Sequence, residues 1–438
     1  MIRGGTLVTP GGLRRADLAI TDGAISEVGA GVSAGREEIN ADGLLVFPGV
    51  IDVHLHFNEP GRTDWEGAAT GSRALAAGGG TLFFDMPLNS TPCTVNAREF
   101  DRKRTALEAS SITDFALWGG LVPGSVSDMA EMAARGVIGF KVFMCNSGLP
   151  EFPRADDVTL LDGLREAARL KLPVAVHAES EELTRGLAER LTSRTVRAFL
   201  DSRPVLAELE AIQRALLLAR ETGASLHIVH VSCGRAVALA AEARAEGTDV
   251  SIETCPHYLF FTEEDVERLG PIAKCAPPLR TTGDRDALWD ELTRGRVHIV
   301  ASDHSPAPPA MKSGDFIAAW GGIAGVQSTL PVLLEVGHHQ RALPLERISA
   351  LLAAEPARRF RIRGKGSLEP GMDADLALVD LNRRMTLTVG DLHQRHPLTP
   401  YLGHSFRGAV RRTIRRGTTI FNDGQITATN GGAVVRPS

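Results

Sequence analysis

Eight short, β-rich apolar runs alternate with longer stretches of helical periodicity, and this alternation predicts an α/β protein built on a TIM-type (β/α)8 barrel. The runs are Gly49–Val53, Thr81–Met86, Phe115–Trp118, Ile138–Phe143, Pro173–Ala178, Ser225–Val231, Val250–Thr254 and Val297–Ser302. Between them, Glu66–Ala77, Asp157–Arg169, Val205–Glu221, Arg235–Glu246 and Asp284–Thr293 carry apolar residues three and four apart, the spacing of a one-sided helix. An open doubly wound sheet is the rival, but no Gly-x-Gly-x-x-Gly opens a helix after the first strand. The two ends read differently. Leu18-Ala19-Ile20 and Ala24-Ile25-Ser26 flank Asp22-Gly23, a hairpin signal. Near the other end, Ala374–Val379, Val410–Ile414 and Thr419-Ile420-Phe421 precede Asp423-Gly424. Residues 1–47 and 366–438 are therefore expected to pair into one small β-sandwich-like domain, with the barrel spanning 48–365.

Composition narrows the class. Apolar residues make up 43% and charged residues 23% of the 438, as in ordinary globular proteins. A net charge of -5 offers no basic field for nucleic acid. No run approaches the roughly 18 apolar residues of a membrane span, and Met1-Ile2-Arg3-Gly4-Gly5 lacks the build of a secretory signal. Cys93, Cys145, Cys233, Cys255 and Cys275 are scattered without a C-x-x-C, which reads as reduced thiols in a cytoplasmic protein.

Barrels carry their chemistry at the C-terminal ends of the strands. The first run ends in His54-Leu55-His56, a spacing that turns two imidazoles to one side and suits a single metal ion. The fifth and sixth runs deliver His177 and His230, and the eighth delivers Asp303 followed by His304. Lys141 stands alone in the apolar fourth run. A buried ammonium without a partner is costly, so such a lysine loses its proton or changes chemically. As a neutral amine it can take up CO2, and the carbamate oxygens can bridge two cations ~3.5–4 Å apart.

With these residues in place, the chain resembles the amidohydrolase superfamily, and within it the cyclic amidohydrolases. The resemblance narrows to the allantoinase group at His54-Leu55-His56-Phe57-Asn58-Glu59-Pro60-Gly61-Arg62, Asp85-Met86-Pro87-Leu88-Asn89 and the segment from Lys141 to Gly148. Glu253-Thr254-Cys255-Pro256-His257-Tyr258, Ser302-Asp303-His304-Ser305-Pro306 and residues 320–325 carry it further. The resemblance implies two divalent metals, zinc by expectation. His54, His56 and Asp303 would hold one, His177 and His230 the other, and carbamylated Lys141 would bridge them. It also implies hydrolysis of a cyclic amide by a metal-bridging hydroxide, with Asp303 shuttling the proton, and a homotetrameric assembly.

Departures from sister groups select among substrates. Dihydroorotases have arginine where this chain has Asn58, and hydantoinases and dihydropyrimidinases have tyrosine where it has Asn146. Both favour allantoin, whose neutral ureido arm wants amide and backbone partners. Asn89, Asn146, Gly321 and Gly322 are the expected pocket residues, with loop capping the competing role for the asparagines. Hydantoinase or dihydropyrimidinase activity, and less readily dihydroorotase activity, is the alternative, and the complete ligand set argues against a non-catalytic assembly protein. Among the remaining residues, His227 is expected to face the helices, His257 to be structural, and Arg62 and Glu66 to brace their loop. His304 would orient Asp303 or line the pocket, and Cys145 would stay outside the ligand set.

Overall fold

A computed structural model describes residues 1–438. Eight parallel strands form the barrel: β1 (Val50–Leu55), β2 (Gly80–Asp85), β3 (Asp114–Leu117), β4 (Phe140–Phe143), β5 (Val174–His177), β6 (Leu226–Ile228), β7 (Val250–Thr254) and β8 (Ile299–Val300). Neighbours in sequence are neighbours in space. The ring closes at two joints: Gly119–Gly120, just past β3, pairs with β4, and His304, past β8, bridges to Leu55 of β1. Each expected β-run overlaps one of these strands, and the five expected helices lie within two residues of those observed, from Ala68–Ala77 to Thr282–Thr293. Sharp helix starts come from side-chain caps. Asp156 accepts from Thr159 N at 2.7 Å, and Thr281 from Asp284 N at 3.1 Å.

The inside of the barrel is itself a packed core, not a pore. Ile51, Val53, Leu82, Phe84, Trp118, Ala175, Val229 and Ala301 fill it, with Phe360 and Ile362 plugging the end away from the strand C-termini. The opposite faces of the strands, such as Phe83, Phe115 and Ile228, pack against the helices. No helix is long and apolar enough to cross a membrane.

The terminal segments build one continuous nine-stranded sheet. Leu45–Pro48 sits at its middle, parallel to Ile2–Thr9 on one side and antiparallel to Leu376–Thr386 on the other. The terminal segments thus make one sheet rather than two facing ones, and they share a core where Leu18 and Ile25 from one end meet Leu376 and Ile414 from the other. Both Asp-Gly pairs make the expected tight hairpins, with φ of 52° and 82° at Asp22-Gly23 and 46° and 88° at Asp423-Gly424.

Candidate metal centre and active site

His54, His56, Lys141, His177, His230 and Asp303 all line one cavity of about 670 Å³ at the C-terminal ends of the strands. His54 Nε2 and His56 Nε2 lie 3.3 and 3.5 Å from the same oxygen, Asp303 Oδ1. Across the cavity, His177 Nδ1 and His230 Nε2 are 2.9 Å apart. The His54 and His230 rings, with centroids 5.3 Å apart, join the two groups. Lys141 is buried, and its Nζ has no hydrogen-bond partner.

Strand alternation alone would not produce this convergence. Ile51 and Val53 point into the barrel core, so a regular β1 would turn Asp52 and His54 away from it. The β1–β2 register shifts between Asp52 and Leu55, an irregularity that re-aims side chains, and His54 reaches the cavity. Likewise Val229 faces inward, and His230 follows it to the same side because its φ is +41°. Asn58, Asn89 and Asp303 also have positive φ, of 62°, 68° and 43°. Each such residue costs of order 1–3 kcal/mol, and such strain persists where the surroundings over-determine the conformation.

Two buried acids that sequence reasoning left without a role orient the imidazoles. Glu253 accepts from His54 Nδ1 at 2.8 Å, from His227 Nε2 at 2.8 Å and from the His230 amide at 3.0 Å. Burial pushes this carboxyl up, but the histidines outweigh it and hold it at about 2. An ionised carboxylate only accepts, so the His54 proton sits on Nδ1 and the Nε2 lone pair faces the cavity. Glu179 does the same for His177, accepting at Nε2 at 2.8 Å, and Arg203 grips Glu179 at 2.6 Å. Against the push of burial, Arg203 and His177 hold Glu179 at about 2. The sequence did carry a signal for Glu253: an acid in an apolar strand is as anomalous as Lys141.

The electrostatics match a cation site. Burial pulls Lys141 down to about 8. Burial, then the neighbouring charges of His177 and Lys141, take His230 well below the ordinary histidine range, so it is a neutral donor. Burial raises Asp303, yet the surrounding histidines hold it well below the usual carboxylate range. His177's proton is committed to Glu179, so its Nδ1 lone pair faces His230 Nε2, an approach that needs a proton or a shared cation between them. Cys145 also comes close to His177 and Glu179. Burial pushes its thiol up to about 12, so it stays protonated and is a poor ligand.

The remaining expectations divide. Asn89 and Asn146 line the cavity. The Asn146 side-chain oxygen caps Gly148 N at 2.9 Å, leaving only its amide nitrogen free, while Asn89 Nδ2 makes a long 3.4 Å bond to Ser305. Gly322 is spent: its N–H goes to Lys274 O and its carbonyl takes the Lys312 ammonium. Gly321 makes no internal backbone hydrogen bond and opens on the cavity. His227 corrects the sequence reading, because it points into the barrel, bonded to Glu253 and stacked on Trp118. It shares that inward face with Ala175 and Ser251, its partners in register. His304 does not line the cavity; its Nδ1 accepts from the Gly325 amide at 3.1 Å. Arg62 braces its loop through Glu151, and Glu66 does so through the Arg395 amide. His257 is buried outside the cavity lining.

Comparison with known proteins bears on this geometry. Residues 45–420 match the model of the amidohydrolase family. An allantoinase of Solibacter usitatus (strain Ellin6076) is 65% identical over 100% of this chain and 96% of its own. One of Rubrobacter xylanophilus is 58% identical over 100% and 97%. Among solved structures, the L-hydantoinase (dihydropyrimidinase) from Arthrobacter aurescens superposes with a TM-score of 0.97 at 32% identity, covering 99% of both chains. The chain belongs to the amidohydrolase family, and within it to the allantoinases.

Proposed function

We propose that this chain hydrolyses the ring amide of allantoin to allantoate at the barrel mouth, with His54, His56, Lys141, His177, His230 and Asp303 as the ligands of two divalent cations. The observation that carries the ligand assignment is the buried, partnerless Lys141 amine amid four imidazoles and a carboxylate. His54, His56 and Asp303 would hold one cation and His177 and His230 the other, with Lys141, once carboxylated by CO2, as a ligand common to both. Bound cations supply Lewis acidity at the scissile carbonyl and lower the pKa of the attacking water. Zinc is the metal and a homotetramer the assembly that the family resemblance leads us to expect.

The chain's own groups do the rest. Asp303 is ionised and faces His54 and His56, so it can take the proton of the attacking water and deliver it to the departing ring nitrogen. Overall, hydroxyl adds to the carbonyl carbon, the C–N bond breaks and the nitrogen gains hydrogen. Glu253 and Glu179 keep the histidines in the tautomers that face the cations. The free Gly321 peptide and the amide nitrogens of Asn89 and Asn146 are the hydrogen-bonding groups for the ring and ureido arm.

One observation favours a second reading: the close superposition on a hydantoinase. A single experiment separates the two. Enzyme depleted of metal and reloaded with zinc and bicarbonate is given allantoin, hydantoin and dihydrouracil. Allantoate formation as the fastest reaction is expected. Rapid turnover of hydantoin or dihydrouracil with none of allantoin overturns the proposal.

A further inference from the structure

The cavity mouth is crossed by a strap, residues 313–322, of which residues 317–322 line the cavity wall. Apolar contacts anchor this segment at two points: buried Phe316 meets Phe199 edge-on at 5.5 Å, and Trp320 meets Trp65 at 5.0 Å. Between those anchors three of its carbonyls are gathered by one ammonium group. Lys274 Nζ donates to the carbonyls of Phe316 at 2.8 Å, Ile317 at 2.9 Å and Ala319 at 2.6 Å, which uses all three of its protons. The same residue's carbonyl accepts from Gly322 N at 2.7 Å, so Lys274 grips the strap at both ends of its cavity-facing stretch. The Phe199 and Phe316 rings lie 4.9 and 5.3 Å from the ammonium and shield it. A second lysine, Lys312, holds the Gly322 carbonyl.

Three carbonyl oxygens turned toward one point repel each other unless a cation sits among them. Removing the charge leaves them buried and unpaired, a cost the strap escapes by refolding. Gly321, beside the cavity, is a peptide that this knot leaves without an internal partner.

We propose that Lys274, seconded by Lys312, is a positioning residue for substrate binding: its ammonium holds the 313–322 strap in the one conformation that presents the Gly321 peptide to the cyclic amide. The inference rests on the reading that this cavity takes such a substrate. Lys274 lies outside the metal-ligand set and makes no hydrogen bond or ion pair with its members.

Burial pulls Lys274 down to about 8; Arg203 and Arg194 lower it further, and Asp315 raises it. Burial takes Lys312 to about 7, with Lys274 lowering it and Cys275 raising it. The Lys312 hold is therefore complete only below about pH 7 and the Lys274 hold below about pH 8, and each loses charge and a donor as pH rises through its value.

The test is Lys274→Met, which keeps the length and removes the charge. Hydrogen exchange of the 309–322 peptide in the metal-loaded enzyme is expected to accelerate about tenfold or more, the scale of a lost charge-assisted hydrogen bond. KM for allantoin should rise by a similar factor, with kcat within threefold and metal content unchanged. In the wild type, KM should climb above about pH 8, a climb the variant lacks. Unchanged exchange overturns the proposal whatever the kinetics. Accelerated exchange without any turnover of allantoin supports the strap's latch while removing the substrate reading. If the variant does not fold, wild-type exchange at pH 7 and 9.5, corrected for the intrinsic rate, decides: selective loosening of the strap supports the latch, and uniform behaviour overturns it.

Discussion

Two buried lysines at opposite ends of the barrel meet opposite fates. Lys141, at the C-terminal end, has no hydrogen-bond partner, and burial draws it down to about 8. Lys365, at the other end, is 3% exposed and is held by Asp114 at 2.8 Å, Asp373 at 2.9 Å and Asp375 at 2.6 Å. Burial pulls Lys365 down as well, but Asp375 and Asp114 more than reverse it, and its pKa is raised. The same side chain is thus a reactive amine where the fold withholds carboxylates and a permanent cation where it supplies three. The Lys365 cluster ties the start of β3 to the segment leading into Leu376–Thr386, and Ala433 N also donates to Asp114 at 3.1 Å. In a barrel, chemistry gathers at the strand C-termini and structural anchoring at the opposite end. These two lysines divide along that line.

The contrast can be broken from either end. If Lys141 is the proposed common ligand, Lys141→Ala is expected to lower kcat by on the order of a thousandfold or more, since such a group acts as a unit with its neighbours. The thermal midpoint should stay near that of the wild type, and acetate or propionate should restore part of the activity by standing in for the carbamate. Absence of rescue with full metal content would show that Lys141 is no bridge. Lys365→Met should do the reverse. Stability to urea should fall by about 3–5 kcal/mol, because the two buried carboxylates of Asp114 and Asp375 and the partly exposed Asp373 lose their counter-ion. Metal content and kcat at low temperature should hold. A loss below about 1 kcal/mol would mean that Arg416, 3.0 Å from Asp114, carries the cluster alone.

The third prediction is the mildest and concerns pH. A lysine whose pKa is raised on folding contributes stability that is complete below its unfolded value of about 10.4 and is lost as pH climbs above it. The stability gap between wild type and Lys365→Met should therefore be flat from pH 6 to 9 and shrink in more alkaline urea titrations. A gap that closes already at pH 8 would place the Lys365 pKa below its ordinary value and erase the contrast with Lys141.

Much of the molecule was readable along the chain because the signals were local. Apolar runs with β-branched residues became barrel strands, three-four spacing became helices, and both Asp-Gly pairs became tight turns. Site residues were legible where chemistry clashed with surroundings, as with Lys141 in an apolar strand. Legibility failed where backbone geometry broke the alternation. Regular alternation through His230 turns His227 outward, whereas the strand ends at Ile228 and a positive φ swings His230 inward. It failed again where a role depends on distant partners. Glu179 has meaning only through Arg203 and His177, and Gly322 is excluded as a donor only because Lys274 and Lys312 occupy its peptide groups.

Residue identity and spacing alone thus determined the fold class, the eight strands and the six side chains that meet at the mouth, because periodicity and the cost of burying charge act over a few neighbours. The tertiary structure decided which imidazole nitrogen faces the centre, which of two glycines is free, and which buried lysine is reactive. Those outcomes depend on carboxylates and carbonyls that come from far along the chain and meet only when the barrel closes.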